Sequence, residues 1–254
     1  MEREEYKKHY ELEESHWWFG GRRRIIHRIL RLLPSDSGRP THLDVGCGTG
    51  FDLLLFGERF DSFGCDLAKD ALFFCKKRNL KKIVQADAAG LPFKNETFDF
   101  ISLLDVLYHK NIDSDGTVLR EVRRILKPNG HILITDSAFN FLYSKHDIAF
   151  HARERYTKKT LGDRLKKNGF VVKKLSYYNF FLFGFVVLVR MWRKIHPIMS
   201  GVPKSDLEAM NKTFNRILFN TLKTEASLVR IINLPFGSSI LCLAQKSQPA
   251  KILP

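Results

Sequence analysis

The chain of 254 residues has only four cysteines, Cys47, Cys65, Cys75 and Cys242. None forms a CxxC pair or has a histidine nearby at metal-ligand spacing, so neither a disulfide framework nor a metal site is expected. Reduced thiols of a cytoplasmic protein are the reading that remains. The first residues, Met1-Glu2-Arg3-Glu4-Glu5, are acidic and lack an apolar stretch, so no secretory signal is expected. Long hydrophobic runs are also missing. The run Tyr177–Val189 contains no charge, and its 13 residues fall well short of the roughly 20 needed to span a bilayer. There is no internal repeat and no low-complexity tract. Acidic surplus is absent too: 42 Lys and Arg against 27 Asp and Glu give a formal charge of +15. That charge favours an anionic partner, whether nucleic acid, a phosphorylated substrate or an acidic membrane surface.

The charge is uneven. Between Thr157 and Ile195 there are ten basic residues against the single acid Asp163. The same segment holds the uncharged run, flanked by Lys173, Lys174, Arg190, Arg193 and Lys194, with Trp192 at its edge. An apolar plug in a basic collar suits an anionic membrane surface or the lipid tail of a substrate. It equally suits a buried helix closing a pocket, or a homodimer interface.

Strand and helix signals alternate through the middle of the chain. Strands are expected at His42–Val45, Phe63–Leu67, Ile83–Ala86, Phe98–Leu104, His131–Thr135, Phe170–Leu175 and Ser239–Ala244. Helices are expected at Phe51–Phe60, Lys69–Arg78, Asp115–Leu126 (stopped by Pro128-Asn129-Gly130) and Thr157–Lys167. An earlier helix covers residues 22–33, followed by a turn-rich linker at 34–40. Such alternation predicts a doubly wound, largely parallel sheet. Before the last strand, Ser205 and Glu208 have capping-box spacing. Leu207, Met210, Phe214, Ile217, Leu218 and Leu222 then share one helical face.

The first strand runs into Gly46-Cys47-Gly48-Thr49-Gly50. Glycines between a strand and a helix let backbone N–H groups approach a ligand closely. Phe51 stands where a dinucleotide fingerprint needs its third glycine, which argues against a pyrophosphate and for a ligand bearing an amino-acid carboxylate. Asp66 ends strand two, where a carboxylate can accept ribose hydroxyls. Asp87 ends strand three, where it can accept from an adenine amino group. Asp105 ends strand four and faces the crevice outside the strand ends, where open α/β sheets bind ligands.

The stretch Leu43–Thr135, with LDVGCGTG, CDLAKDAL, QADAAGLPF, FDFISLLDVLYH and EVRRILKPNGHILITD, resembles the common class I S-adenosylmethionine-dependent methyltransferase domain. The resemblance implies a Rossmann-like α/β fold with a seven-stranded sheet, N-terminal helices and a helical insertion before the last strand. It implies S-adenosylmethionine as cofactor and S-adenosylhomocysteine as product. The implied cofactor set is Asp44, Gly46, Cys47, Gly48, Gly50, Asp66, Leu67, Asp87, Ala88 and Asp105, the glycine turn holding the methionine moiety. A narrower resemblance, carried by HWWFGGRRRII, SKHDIAFHARERYT and EASLVRIINLPFGSSILCLAQK, is to bacterial and archaeal methyltransferases found among polysaccharide and cell-envelope assembly genes. In that group glutamate commonly stands at the position of Tyr108. The implied organisation is a helical cap over 1–40, the cofactor-binding core over 41–180, an apolar-basic insertion over 181–237 and a final strand over 238–247.

For the acceptor side, His109 and the pair His146-Asp147 are the candidate bases, since a base is needed only where the acceptor loses a proton. His146 and Asp147 can instead fix their loop together with Arg153 and Arg155. His16, Trp17 and Trp18 are expected as a lid, with Arg155 and Tyr156 from the 146–156 loop beside the acceptor. Arg22-Arg23-Arg24 can bind an acceptor phosphate or carboxylate, or form a solvated helix face. The expected acceptor is a small or lipid-linked molecule, with peripheral contact at the inner face of an anionic membrane. RNA is the rival acceptor. It has charge in its favour, but no Asn/Asp-Pro-Pro-aromatic motif and no Pro-Cys nucleophile supports it. A non-catalytic scaffold keeping the fold is the alternative of a different class.

Overall fold

A computed structural model describes residues 3–34, 38–195 and 210–248. Seven strands form one sheet in the order β3-β2-β1-β4-β5-β7-β6. They are β1 (Thr41–Val45), β2 (Asp61–Asp66), β3 (Ile83–Gln85), β4 (Phe98–Leu104), β5 (Leu126–Ser137), β6 (Phe170–Tyr178) and β7 (Ser239–Lys246). The first five pair in parallel, and β7 runs antiparallel between β5 and β6. The expected Rossmann-like architecture is therefore present.

The pleat sends alternate residues to two cores. Ile101 and Leu103 of β4, with Ile132 and Ile134 of β5, meet Val118, Leu119, Val122 and Ile125 of α5 (Asp115–Ile125). Leu161 and Leu165 of α7 (Lys158–Lys167) join them. Phe100 and Leu104, from the opposite face of β4, meet Ile25, Ile26 and Ile29 of α2 (Trp17–Leu30) and Ala226 and Val229 of α9 (Lys212–Ile231). α2 and α9 lie unusually close. A Cβ on Gly21 would sit 2.4 Å from the Leu222 side chain, so only glycine permits this approach.

Several boundaries differ from expectation. α2 begins at Trp17 rather than residue 22, because His16 caps it and Phe19 is buried. The charged N-terminal stretch is itself a helix, α1 (Arg3–Leu12), whose Tyr6 packs against Ala71 and Phe74 of α4 (Lys69–Lys77). α3 is only Phe51–Phe56, since the chain turns at Gly57. Pro128-Asn129-Gly130 does not stop a helix. Leu126 already pairs with Phe98, and His131 with Phe100, so the three residues bulge within β5. The uncharged run divides: Tyr177 and Tyr178 finish β6, Asn179 turns with φ +61°, and α8 covers Phe183–Ile195. Ser35–Ser37 of the linker and the Ser205–Glu208 capping box lie outside the described residues. The described α9 starts at Lys212, capped by Asn211. Among the described residues no helix is long and apolar enough to cross a membrane.

Candidate active site

Parallel pairing of β1 with β2 and β4 brings their carboxyl ends side by side, where a cleft of about 1580 Å³ opens. The expected cofactor residues Asp44, Gly46, Cys47, Gly48, Asp66, Leu67, Asp87, Ala88 and Asp105 all line it. Gly50 stands just behind, capping α3 in the left-handed region. Gly46 and Gly48 also have positive φ, +73° and +54°. The Gly46 and Cys47 N–H groups donate to the Cys65 carbonyl at 2.8 and 2.9 Å, which pins the turn to β2. A Cβ on Gly46 would lie 2.5 Å from Val106, whereas one on Gly48 would meet nothing within 4 Å. Gly48 thus presents bare backbone to open space. α3 has only six residues, so the turn itself, and not a long helix end, faces the cleft.

Asp66 stabilises that turn: its carboxylate accepts from the Gly48 and Ala68 N–H groups, both at 2.9 Å. Burial pushes its pKa up from the usual carboxylate value, and those N–H groups pull it back. Asp87 accepts from the Ala89 N–H at 2.8 Å. Each carboxylate keeps acceptor capacity toward the cleft. Asp44 lies deeper. Ser102 donates to its Oδ1 at 2.5 Å and accepts from His42 Nε2 at 2.8 Å, and His42 Nδ1 faces the Ser62 hydroxyl at 3.1 Å. Burial lifts Asp44 to about 8, against the Ser102 bond, and lowers His42 to about 3. A neutral imidazole with its proton on Nε2 satisfies this chain. All four cysteines are free thiols, with Cys47 Sγ 3.9 Å from Cys75 Sγ.

Asp105 adopts a positive φ of +59° and is bound by Arg22. The same guanidinium reaches Asp52 at 2.6 Å. Of the three successive arginines, Arg22 is therefore turned inward and buried, while Arg23 packs over the Phe51 ring at 4.4 Å. Burial pushes Asp105 up and Arg22 pulls it back down.

The roof is partly as expected. His16, Trp17 and Trp18 all line the cleft. His16 also caps α2, accepting from the Trp18 N–H at 3.3 Å; the Trp17 N–H donates to Asn215 at 2.8 Å, and Trp18 stacks on Tyr178. Three further roof residues, Tyr6, His9 and Glu13, come from α1 and its end and escaped the sequence reading. The Glu13 carboxylate accepts from the Thr49 hydroxyl at 2.6 Å and from Arg78 at 2.5 Å, clasping α1 to the glycine turn. His9 sits between Phe19 and Phe150, and burial pulls it down to about 3. The sole local signal for α1 is the helical spacing of Tyr6, Tyr10 and Glu13 within a charged stretch.

At the other end, His109 lines the cleft, accepts from the Asn111 N–H at 3.2 Å and stacks on His151. Burial lowers its pKa to about 4, leaving it neutral near neutral pH. Tyr108 lies between it and Asp105 in the chain and also faces the cleft. His146 lines the cleft from α6 (Lys145–Ala149), its ring against Phe150. The pairing of Asp147 with His146 as base and orienter is corrected. The Asp147 carboxylate is taken up by Arg155, at 2.7 and 3.0 Å, and by the Ser144 N–H at 2.8 Å. Arg155 further donates to the Ala138 carbonyl at 3.1 Å, so the two residues latch the loop after β5. Tyr156, expected beside the acceptor, is corrected as well. It is fully buried in the core, its hydroxyl donating to Asp115 at 3.0 Å. The far wall is α8, with Phe185, Val186, Val189, Arg190 and Arg193 on the cleft.

Residues 43–134 match the family described as methyltransferase domain. Among curated proteins, the chain is 34% identical over 111 residues to the tRNA (carboxymethyluridine(34)-5-O)-methyltransferase of Arabidopsis thaliana, covering 43% of this chain and 26% of that one. It is 36% identical over 101 residues to the fatty-acid O-methyltransferase of Mycolicibacterium smegmatis, covering 37% and 36%. The matches thus span well under two thirds of either relative. Among solved structures, phosphoethanolamine N-methyltransferase 2 of Haemonchus contortus in complex with S-adenosyl-L-methionine superposes with a TM-score of 0.57 at 18% identity, over 89% of this chain and 53% of that chain. The fold is that of the class I methyltransferases.

Proposed function

We propose that this chain, which carries a methyltransferase domain over residues 43–134, methylates a small or lipid-linked acceptor with S-adenosylmethionine. The observation that carries the reading is that one cleft holds two chemically different ends. One has the bare Gly46–Gly50 backbone with Asp66 and Asp87 as acceptors. The other has His109, His146, the apolar face of α8 and its cations. The first end fits the cofactor: Gly48 leaves room for it, and the two carboxylates match ribose hydroxyls and an adenine amino group. When bound, S-adenosylmethionine supplies an electrophilic methyl group and leaves as S-adenosylhomocysteine.

The chain's own part is alignment and exclusion of water. α1 and the Trp17-Trp18 pair roof the cleft, and Glu13 fastens that roof to Thr49. Arg22 fixes Asp105 at the centre. His109 and His146 are the imidazoles at this end of the cleft, and a base is needed only where the acceptor loses a proton. The apolar wall of Phe185, Val186 and Val189 accommodates a hydrocarbon tail, and Arg190 and Arg193 suit an anionic head. A sugar hydroxyl or a carboxylate in envelope glycan or lipid assembly meets these demands.

The test is transfer of labelled methyl from S-adenosylmethionine into a cell extract split into lipid, RNA, protein and small-molecule fractions, with Gly48→Arg as the blank. Label in the lipid or small-molecule fraction is expected. Absence of cofactor binding by calorimetry overturns the reading at its first step. A second reading, RNA methylation, is favoured by the +15 charge and by the relative named a tRNA methyltransferase. It is marked by label in the RNA fraction and by RNA binding with a steep salt slope.

A further inference from the structure

The two faces of α8 do different things. The inner face places Phe183 against Phe139 and Phe236 and turns Val186 and Val189 into the cleft. The outer face, continued back to Phe181, carries Phe181, Phe185, Leu188, Trp192 and Ile195. These residues are 50, 64, 71, 59 and 72% exposed. Their spacing of four, three, four and three residues makes one unbroken apolar stripe along the helix. Scattered surface leucines need no explanation, but a contiguous stripe of five large apolar side chains does.

Charge selects what covers it. Arg190, Arg193 and Lys194 belong to α8, and Lys212, Arg216 and Lys223 to α9. The sequence from Asn179 to Thr224 holds seven basic residues, Lys204 included, against Asp206 and Glu208. We propose that α8 lies flat on an anionic membrane surface, with Leu188 and Trp192 entering the acyl boundary and the exposed Arg193 and Lys194 at its basic end meeting headgroup phosphates. Thirteen residues give a helix of roughly 20 Å, too short to cross the ~30 Å hydrocarbon core but suited to lying in the interface. Trp192, at the basic end of the stripe, is the residue type that settles at the headgroup level. A second copy of the chain would bring the same cations face to face, whereas paired helices place opposite charges beside an apolar seam. The cleft adds a further argument. Phe185 belongs both to the exposed stripe and to the cleft lining. The cleft therefore opens on the membrane side, and a tail enters it without passing through water.

Docking goes beyond methyl transfer and is read without any acceptor. The experiment is co-sedimentation of the whole chain with vesicles of phosphatidylcholine, with and without phosphatidylglycerol, for the wild type, Leu188→Glu and Trp192→Ala. Melting temperature and calorimetric cofactor affinity are measured on the same samples. The expected result is binding to the phosphatidylglycerol vesicles, weakened by salt. Each variant should bind at least about tenfold more weakly, the weight of one large side chain leaving an apolar phase, with melting and cofactor affinity unchanged. Failure to bind anionic vesicles, or equal binding by both variants and wild type, overturns the proposal. So does a dimer, or RNA binding, that Leu188→Glu abolishes while vesicle binding is absent. Failure of cofactor binding bears on the methyltransferase reading alone.

Discussion

Replacing Arg22 with methionine removes the cation shared by Asp52 and Asp105 and keeps most of the side chain's volume. The three side chains are 10, 15 and 28% exposed, so the cluster is largely desolvated. A solvent-screened pair is worth about 1 kcal/mol or less. Removing one partner of a buried pair costs about 3–5 kcal/mol, because the remaining charge is left unpaired. Here one guanidinium serves two carboxylates, so the larger figure governs. In a chain of this size each kcal/mol moves the melting temperature by about 2–4 °C, so Arg22→Met should lower it by on the order of 10 °C. Thermal unfolding followed by circular dichroism reads this, with urea unfolding as a check that the m-value is unchanged. Adding Asp105→Asn should restore part of the loss, since one orphaned charge disappears. The pH dependence follows the same logic. Without Arg22 the Asp105 pKa rises further above its unfolded value, so the folded state gains from its protonation as the pH falls. The gap between variant and wild type should narrow on acidification. A melting shift within about 2 °C, the effect of less than 1 kcal/mol, or a gap that widens in acid, refutes the reasoning.

Asp44 predicts a pH effect of defined sign. Burial lifts it to about 8, above the usual carboxylate value of about 3.9. The stability this lends is full below about 4 and lost as the pH rises through about 8. In urea unfolding, wild type should therefore lose ground to Asp44→Asn across that window; parallel curves would refute it. Gly46→Ala and Gly48→Arg should separate folding from binding. The first drives a Cβ to 2.5 Å from Val106 and lowers the melting temperature. A Cβ at the second meets nothing within 4 Å and the longer arginine extends into the open cleft, so it should cost mainly the left-handed strain of about 1–2 kcal/mol and abolish cofactor binding in calorimetry. Tyr156→Phe removes the bond to Asp115 and should cost about 1.5–3 kcal/mol, with the acceptor KM unchanged. A raised KM without loss of stability would put Tyr156 back at the acceptor.

The sheet was readable because its signals are local. Phe98–Leu104 is apolar on both faces and ends at Asp105, and its bounds match expectation to the residue. What escaped was decided by distant partners. Pro128-Asn129-Gly130 has the same composition whether it ends a helix or bulges from a strand. The pairing of Leu126 with Phe98 and His131 with Phe100 makes it a bulge. α1 offers a narrow stripe amid charges, and its place is set by Phe74 and by the Glu13–Thr49 bond.

The strand-end half of the cleft was legible for the same reason that the half opposite it was not. Gly46–Gly50, Asp66, Asp87 and Asp105 each sit at the end of their own strand, so sequence position and spatial role coincide. On the opposite side, neighbours in sequence part company. Arg22 enters the cleft while the adjacent Arg23 lies on Phe51, a choice made by which face of α2 meets Asp52 and Asp105. Arg155 reaches the cleft and latches Asp147, while Tyr156 points into the core toward Asp115. An extended segment alternates its side chains, but the phase of that alternation comes from the partners, Asp147 on one side and Asp115 on the other. The proposed acceptor wall is thus a property of the packed chain, built from α1, α2, the loop after β5 and α8. Chemistry at that end has to be sought by perturbing those long-range pairs, since no single motif contains it.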